Sequence, residues 1–211
     1  MIEIYGMSHS NLVRSVALTS TMKQQPYQIG WTLNGEEIPF RSEAHANIHP
    51  YSKFPIIHHE GLTLTETLAI CRYLDTRFPE NPLQPESIQA QAEHDAWCSR
   101  AITQLDQAII RQYLIEYVVP TGPEGQPNIE LMMNNKPTVL KAVSVIEDQI
   151  RNHDFVCGDR FMLADALITP LAHYATLQKG DLKLVEDDSP ILAYLDRVFA
   201  LPGVKEIFSG Q

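Results

Sequence analysis

The sequence predicts an α+β chain in two parts: a mixed unit of strands and helices over residues 1–78, and an all-helical unit over residues 87–211, joined by a linker at 79–86. Three observations carry this reading. Short β-branched and aromatic runs are confined to the first part, where they alternate with segments patterned at helical spacing. Pro79, Pro82 and Pro85 crowd into residues 79–85, a composition that favours extended chain over a continued helix. Beyond Glu86 the strand signals stop and apolar residues recur at helical spacing, with no repeats or low-complexity tracts.

Taken in order, residues 2–5 form a first strand ended by Gly6, and a helix opens near Ser10-Asn11 with Leu12, Val13, Val16, Ala17 and Leu18 on its apolar side. Pro26 closes that helix. A second strand runs over 27–33, with Tyr27, Ile29, Trp31 and Leu33 alternating, and meets the turn pair Asn34-Gly35. The β-α-β order implies a parallel pair with a right-handed crossover. Residues 36–51 are polar and irregular, with room for one helical turn. Two short strands then flank His59-Glu60-Gly61, and Thr65 or Glu66 opens a helix to Phe78. In the second unit helices are expected over 87–118, 128–151, 162–178 and 189–200, with a Pro- and Gly-rich loop between the first two.

Composition excludes several functions. Sixteen basic against 26 acidic residues give a net charge of −10, which repels phosphate backbones and anionic lipid, so no nucleic acid and no membrane partner is expected. The three cysteines, Cys71, Cys98 and Cys157, lie far apart without a CxxC pair, so neither a disulfide framework nor zinc is indicated and a reducing cytoplasm fits. No export signal or 18-residue apolar run is visible. His58 and His59 are adjacent and would face opposite ways on a strand, and Pro50 follows at once on the His45/His49 pair. No metal is expected. Cys71 falls on an apolar-patterned helix and reads as core, whereas Cys157 stands beside Gly158 and could be exposed.

The segment 52–70 is the most unusual. Pro55 sits inside the apolar run Phe54-Pro55-Ile56-Ile57, where a central strand does not accept a residue without an N–H, so an edge, a bend or a cis bond is required. One use of such a step is to present the Phe54 backbone N–H and C=O to a peptide-like ligand. Ten to twelve residues beyond Pro55 comes Thr65-Glu66-Thr67, where either helix capping or anion binding by the helix start is chemically reasonable.

His49-Pro50-Tyr51-Ser52-Lys53-Phe54-Pro55 followed by Leu64-Thr65-Glu66-Thr67-Leu68-Ala69-Ile70 resembles the cytosolic glutathione transferase family, and the resemblance covers nearly the whole chain. Tyr5-Gly6-Met7-Ser8-His9-Ser10-Asn11-Leu12-Val13-Arg14 resembles the family's first strand, loop and helix start in its bacterial, serine-activating form. The resemblance implies an N-terminal thioredoxin-like domain, an all-α bundle behind it, a homodimer, and glutathione as co-substrate, its thiol attacking a small electrophile in a detoxification reaction. It implies that Phe54, ahead of Pro55, pairs through its backbone with the cysteinyl unit. Thr67 and the helix start would hold the γ-glutamyl carboxylate, Glu66 the γ-glutamyl ammonium, and Lys53, Arg41 or His45 the glycyl carboxylate. Ser10 takes the activating place, with Ser8 and His9 as rivals because the loop lacks the family's proline near Ser8. Tyr5 reads as core. The second-substrate pocket would draw on Met7, Tyr113 and Tyr117, with Ile109, Arg111 and Leu114 nearby; Tyr113 and Tyr117, four residues apart, are equally plausible as core. A glutathione-dependent isomerase or disulfide reductase, or a non-catalytic glutathione- or partner-binding module, are the alternatives on the same fold.

Residues 158–165 resemble the family's capping segment in the second domain, where serine or threonine precedes leucine-alanine-aspartate. Met162 stands in the cap position here and accepts no hydrogen bond, so about 0.5–2 kcal/mol of cap energy is expected to be missing. Met162→Ser is therefore predicted to raise the melting temperature.

Overall fold

The computed structural model describes residues 1–209, which fall into two compact units, 1–84 with 199 onward, and 85–198. The division lies between Gln84 and Pro85. The return of the chain end to the first unit is not foreseen by the sequence reading.

The first unit is a four-stranded sheet in the order β2-β1-β5-β6, built from β1 (Ile2–Tyr5), β2 (Tyr27–Gly30), β5 (Ile56–His59) and β6 (Leu62–Thr65). β1 and β2 are parallel, as the β-α-β order requires, and β5 and β6 add antiparallel. The expected strand over 27–33 is broken. Trp31 turns its carbonyl to Ile38 N–H (2.8 Å), and Leu33 joins a separate hairpin, β3 (Thr32–Leu33) and β4 (Glu36–Glu37). Asn34 and Gly35 turn that hairpin with φ of 52° and 76°, the pairing that the Asn-Gly dipeptide favours. The Glu3 carboxylate accepts from the N–H of both turn residues.

Helices α1 (Asn11–Met22) and α3 (Thr67–Arg77) pack on one another. α1 is buried almost throughout, and its buried hydroxyls are satisfied within the helix: Ser15, Thr19 and Ser20 each donate to the carbonyl four residues back. A short helix, α2 (Glu43–Ile48), precedes β5, and α8 (Val204–Phe208) packs against α1. The proline-rich stretch is tied down at its start. Buried Asp75 accepts from Lys23 Nζ (2.9 Å), Leu83 N (2.8 Å) and Gln84 Nε2 (2.9 Å), and Lys23 also donates to Asn81 O (2.9 Å). Each charge thus has several partners, which a buried ion pair needs to offset desolvation.

In the second unit α4 (Ile88–Arg100) widens into π-helical turns over Ala101–Arg111 and ends in a 3-10 turn at Leu114–Tyr117, where a single helix to 118 was expected. α5 (Ile129–Ile150), α6 (Leu163–Thr176) and α7 (Pro190–Phe199) follow. Buried Glu116 accepts from Thr121 N (2.9 Å), Thr121 Oγ1 (2.7 Å) and Asn128 N (2.9 Å), fastening the loop to the start of α5. Those donors, Asn128 N–H foremost, hold its carboxyl below the usual carboxylate range. Among the described residues no helix is long and apolar enough to cross a membrane.

The expected deficit at α6 is filled from outside the local sequence. Asp165 Oδ2 accepts from Met162 N (2.9 Å), as the capping box predicts, and His94 Nε2, from α4, accepts the Ala164 N–H (3.3 Å). Met162 itself is only 5% exposed. The prediction that serine at 162 would raise stability is therefore corrected: the first turn already has acceptors, and the change removes buried apolar surface.

Candidate active site

Strand register brings three chain segments together. β1 ends at Tyr5, β5 begins at Ile56 and β6 ends at Thr65, with Tyr5 opposite Ile56 and Ile56 opposite Thr65. Whatever follows Tyr5, precedes Ile56 or follows Thr65 meets at this end of the sheet. Those continuations are the turn to Ser10, the Phe54-Pro55 step and the helix start at Glu66-Thr67.

The turn from β1 to α1 needs glycine. Gly6 has φ of 144°, and a Cβ there would lie 2.7 Å from Val13 Cγ2 and 3.1 Å from Phe54 Cβ, so only a residue without one lets the turn pass against Phe54. Ser10 N donates to Met7 O (3.0 Å), and Arg14 Nε holds Ser8 O (3.1 Å). Arg14 is itself buried, 4.7 Å from the Phe208 ring centroid. Ser10 is the N-cap of α1, its Oγ accepting from Val13 N at 3.5 Å. That long bond uses a lone pair and leaves the hydroxyl proton available to donate. Ser8 and His9 are exposed, and Met7 is half-buried.

The Phe54–Pro55 bond is cis, one of the three arrangements the sequence allowed. Pairing with β6 starts at Ile56, so Phe54 lies outside the ladder while Pro55 is buried. The Phe54 ring packs 6.0 Å from Trp31 and 5.6 Å from Phe40 between centroids. Tyr5 belongs to the same cluster, 5.1 Å from Trp31, with its hydroxyl buried and without a hydrogen-bond partner among the described residues. Burial raises the Tyr5 pKa, and the residue is core, as its place in the strand suggested.

At the third segment, Glu66 adopts φ of 71° and ψ of 110°, a backbone state that side chains other than glycine resist. No side chain caps α3, whereas Ser10, Ser42, Ser87 and Asn128 each accept a first-turn N–H of their own helices. Ile70 N–H is the first in α3 to reach a helical carbonyl, Glu66 O at 2.9 Å. The Thr67, Leu68 and Ala69 N–H groups precede it, at the positive end of the helix dipole. Thr67 is buried and Glu66 is exposed.

Of the three candidate cations, Lys53 and Arg41 are exposed, each near an aromatic ring: Lys53 Nζ is 5.9 Å from the Tyr51 centroid and Arg41 Cζ 5.1 Å from that of Phe40. His45 is corrected. It is fully buried, its Nδ1 accepts from Arg41 N (3.1 Å), and its Nε2 faces Lys53 O (3.0 Å). An Nδ1 that accepts carries no proton, so the ring is the neutral Nε2–H tautomer and donates to Lys53 O. It supplies no charge to a carboxylate.

Tyr113 is also corrected. It is 0% exposed and its hydroxyl donates to Leu182 O (3.1 Å), which makes it core of the second unit. Burial pushes its pKa up to about 12. The π-helical widening and the end of the helix before residue 113 remove the shared helix face that its spacing to Tyr117 suggested. Tyr117 is 49% exposed. Nearby, Ile109 and Leu114 are buried and Arg111 pairs with Asp106 (2.9 Å). Burial also pushes the Cys71 and Cys157 thiols up to about 12, so neither is a ready nucleophile.

Two family models match the chain: glutathione S-transferase, N-terminal domain, over residues 4–82, and glutathione S-transferase, C-terminal domain, over residues 109–202. Glutathione S-transferase theta-1 of Rattus norvegicus is 27% identical over 212 residues, 99% of this chain and 86% of that protein. LigF of Sphingobium sp. strain SYK-6, described in its crystal structure as a beta-etherase, is 26% identical over 209 residues, 81% of this chain and 80% of that protein. The theta-class enzyme of Xanthomonas axonopodis pv. citri, solved with glutathione bound, superposes with a TM-score of 0.81 at 18% identity, covering 100% of this chain and 98% of that one.

Proposed function

The chain belongs to the glutathione S-transferase family, and within it we propose a transferase that holds glutathione at the convergent end of the first sheet, with Ser10 keeping the sulfur ionised for attack on an electrophilic small molecule. The observation that carries this reading is the register that gathers the turn to Ser10, Phe54 and an uncapped helix start at Glu66-Thr67.

In this reading the γ-glutamyl carboxylate takes the place of the missing cap on α3, bound by first-turn N–H groups and the Thr67 hydroxyl. The exposed Glu66 carboxylate accepts from the ammonium. Phe54, outside the ladder and followed by Pro55, pairs with the cysteinyl backbone as an added strand would. Lys53, or Arg41, attracts the glycyl carboxylate. The Ser10 hydroxyl donates to the sulfur. A hydrogen bond to a charged group contributes about 1.5–3 kcal/mol and one pKa unit corresponds to about 1.4, so the thiol falls by roughly one to two units from about 8.5. The positive end of α1 acts in the same direction.

The thiolate then supplies an electron pair to an electrophilic carbon. A sulfur–carbon bond forms, and the leaving group departs with the pair that bound it. The relation to LigF extends the candidate electrophiles to ether carbons. Transfer is favoured over disulfide reduction because the activating position holds a serine and the thiols at Cys71 and Cys157 are raised by burial. A homodimer in a reducing cytoplasm completes the reading, the latter fitting the free cysteines at 71, 98 and 157.

The test is glutathione titration by calorimetry together with thiolate absorbance against pH, for wild type and Ser10→Ala. Binding with a thiol pKa lowered by about one to two units, and loss of that shift in Ser10→Ala, is the expected result. Failure to bind at millimolar glutathione overturns the reading. Binding with an unshifted thiol leaves a non-catalytic module, and a shift that survives in Ser10→Ala moves the role to Ser8, His9 or backbone amides.

A further inference from the structure

α2 is a six-residue helix in which His45 is the only buried residue. A helix of that length has no stability of its own and takes its position from what fastens it. His45 is tied on all sides. Its N–H donates to Ser42 Oγ (3.2 Å), its carbonyl accepts from His49 N (2.9 Å), and its ring lies 4.9 Å from Tyr5 and 5.6 Å from Phe40 between centroids. The two ring nitrogens span from Arg41 N to Lys53 O.

The Lys53 carbonyl and the Phe54 N–H belong to one planar peptide unit, and in a trans peptide they point in opposite directions. Phe54–Pro55 is the cis bond of this segment, so Lys53–Phe54 is trans. A donor that fixes the Lys53 oxygen therefore aims the Phe54 N–H away from α2. It also polarises the peptide, strengthening that N–H as a donor.

We infer that His45 is a positioning residue for glutathione: its neutral imidazole holds the Lys53 carbonyl so that the Phe54 N–H faces the cysteinyl unit. The inference rests on the proposed glutathione site and adds the residue that orients it. His45 touches no substrate. It acts through the Lys53–Phe54 peptide, so removing its bond weakens glutathione binding and leaves the ionisation of bound thiol, set at Ser10, unchanged.

The experiment compares three variants of the full chain with wild type, measuring glutathione affinity by calorimetry, the bound-thiol pKa by absorbance, and fold by circular dichroism. His45→Phe keeps a ring between Tyr5 and Phe40 but loses both hydrogen bonds. In His45→Gln the amide nitrogen takes the place of Nε2 and still reaches Lys53 O, whereas in His45→Asn the shorter amide takes the place of Nδ1 and serves only Arg41 N. Expected are a loss of about five- to tenfold in affinity for Phe and Asn, affinity within about twofold of wild type for Gln, and a bound-thiol pKa equal to that of wild type in all three. Equal affinity in the Asn and Gln variants overturns the role of His45, and this pair decides the matter if the Phe variant does not fold. Wild-type protein that binds no glutathione overturns the site itself, a separate result.

Discussion

Among the described α-helices, α3, α6 and α8 start without a hydrogen bond from a capping side chain, and the first two are resolved in opposite ways. At α6, Met162 occupies the cap position, yet Asp165 accepts Met162 N–H and His94 accepts Ala164 N–H, so the turn is closed by protein. At α3, Glu66 occupies the cap position in a disfavoured backbone state, and its side chain caps none of the first-turn N–H groups. The first arrangement contributes to folding. The second leaves first-turn donors and a positive dipole end without a side-chain cap, at the sheet end shared with Phe54 and the Ser10 turn, where the proposed ligand carboxylate would complete the helix.

The largest expected effect comes from opening the closed start. Asp165 is fully buried and accepts from Val156 N (2.8 Å), Met162 N (2.9 Å) and Tyr194 OH (3.1 Å). Asp165→Ala strands all three donors and is expected to lose about 3–5 kcal/mol in urea unfolding. Glutathione affinity of the folded fraction should be unaffected; a parallel loss of affinity would show that the two helix starts are not independent.

The same residue makes stability depend on pH. Burial raises the Asp165 carboxyl from 3.8 to about 7 against the pull of its three donors. The folded state thus holds a proton that the unfolded state releases between those values. Stability from this group is full below about pH 4 and declines as pH rises to about 7. Denaturant melts across that window should show the decline in wild type and a flatter profile in Asp165→Ala. An identical slope in both would assign the dependence to other groups.

A smaller effect with opposite signs is expected at the open start. Glu66→Gly relieves the positive φ and should raise stability by about 1 kcal/mol, while removing the proposed acceptor for the γ-glutamyl ammonium and weakening glutathione binding about tenfold or more. A variant that loses stability would mean the Glu66 side chain serves folding, and the contrast between the two helices would fail.

An effect of similar size is expected from Met162→Ser. With Ala164 N–H already accepted by His94 and Met162 buried, the melting temperature is expected to fall by a few degrees, about 1–2 kcal/mol of lost apolar burial. A rise would show that the first turn of α6 is still short of an acceptor.

Much of the architecture was legible because its causes are local. The 2-residue and 3.6-residue periodicities, the prolines at 79, 82 and 85, the Asn34-Gly35 turn and the Ser10 cap are chemical instructions that act within a few residues. The unusual place of Pro55, and the helix start twelve residues beyond it, marked the candidate site for the same reason. The strand over 27–33 is broken because Trp31 obeys the alternation while its carbonyl accepts from Ile38 N–H across the Asn34-Gly35 turn, a pairing that side-chain alternation does not show.

By itself, then, the sequence determined two units of different class, the strand and helix order of the first apart from the β3-β4 hairpin and the returning chain end, and the short stretches that carry Ser10, Phe54-Pro55 and Glu66-Thr67. The tertiary structure decided which of those stretches meet, since register sets Tyr5, Ile56 and Thr65 side by side. It also decided the roles of three side chains whose partners are distant. His94 serves a helix start 70 residues away, Tyr113 serves the Leu182 carbonyl rather than a pocket, and His45 serves a peptide bond rather than a carboxylate. A histidine or tyrosine can be donor, acceptor or packing surface, and only the burial and partners that folding gives it select among them.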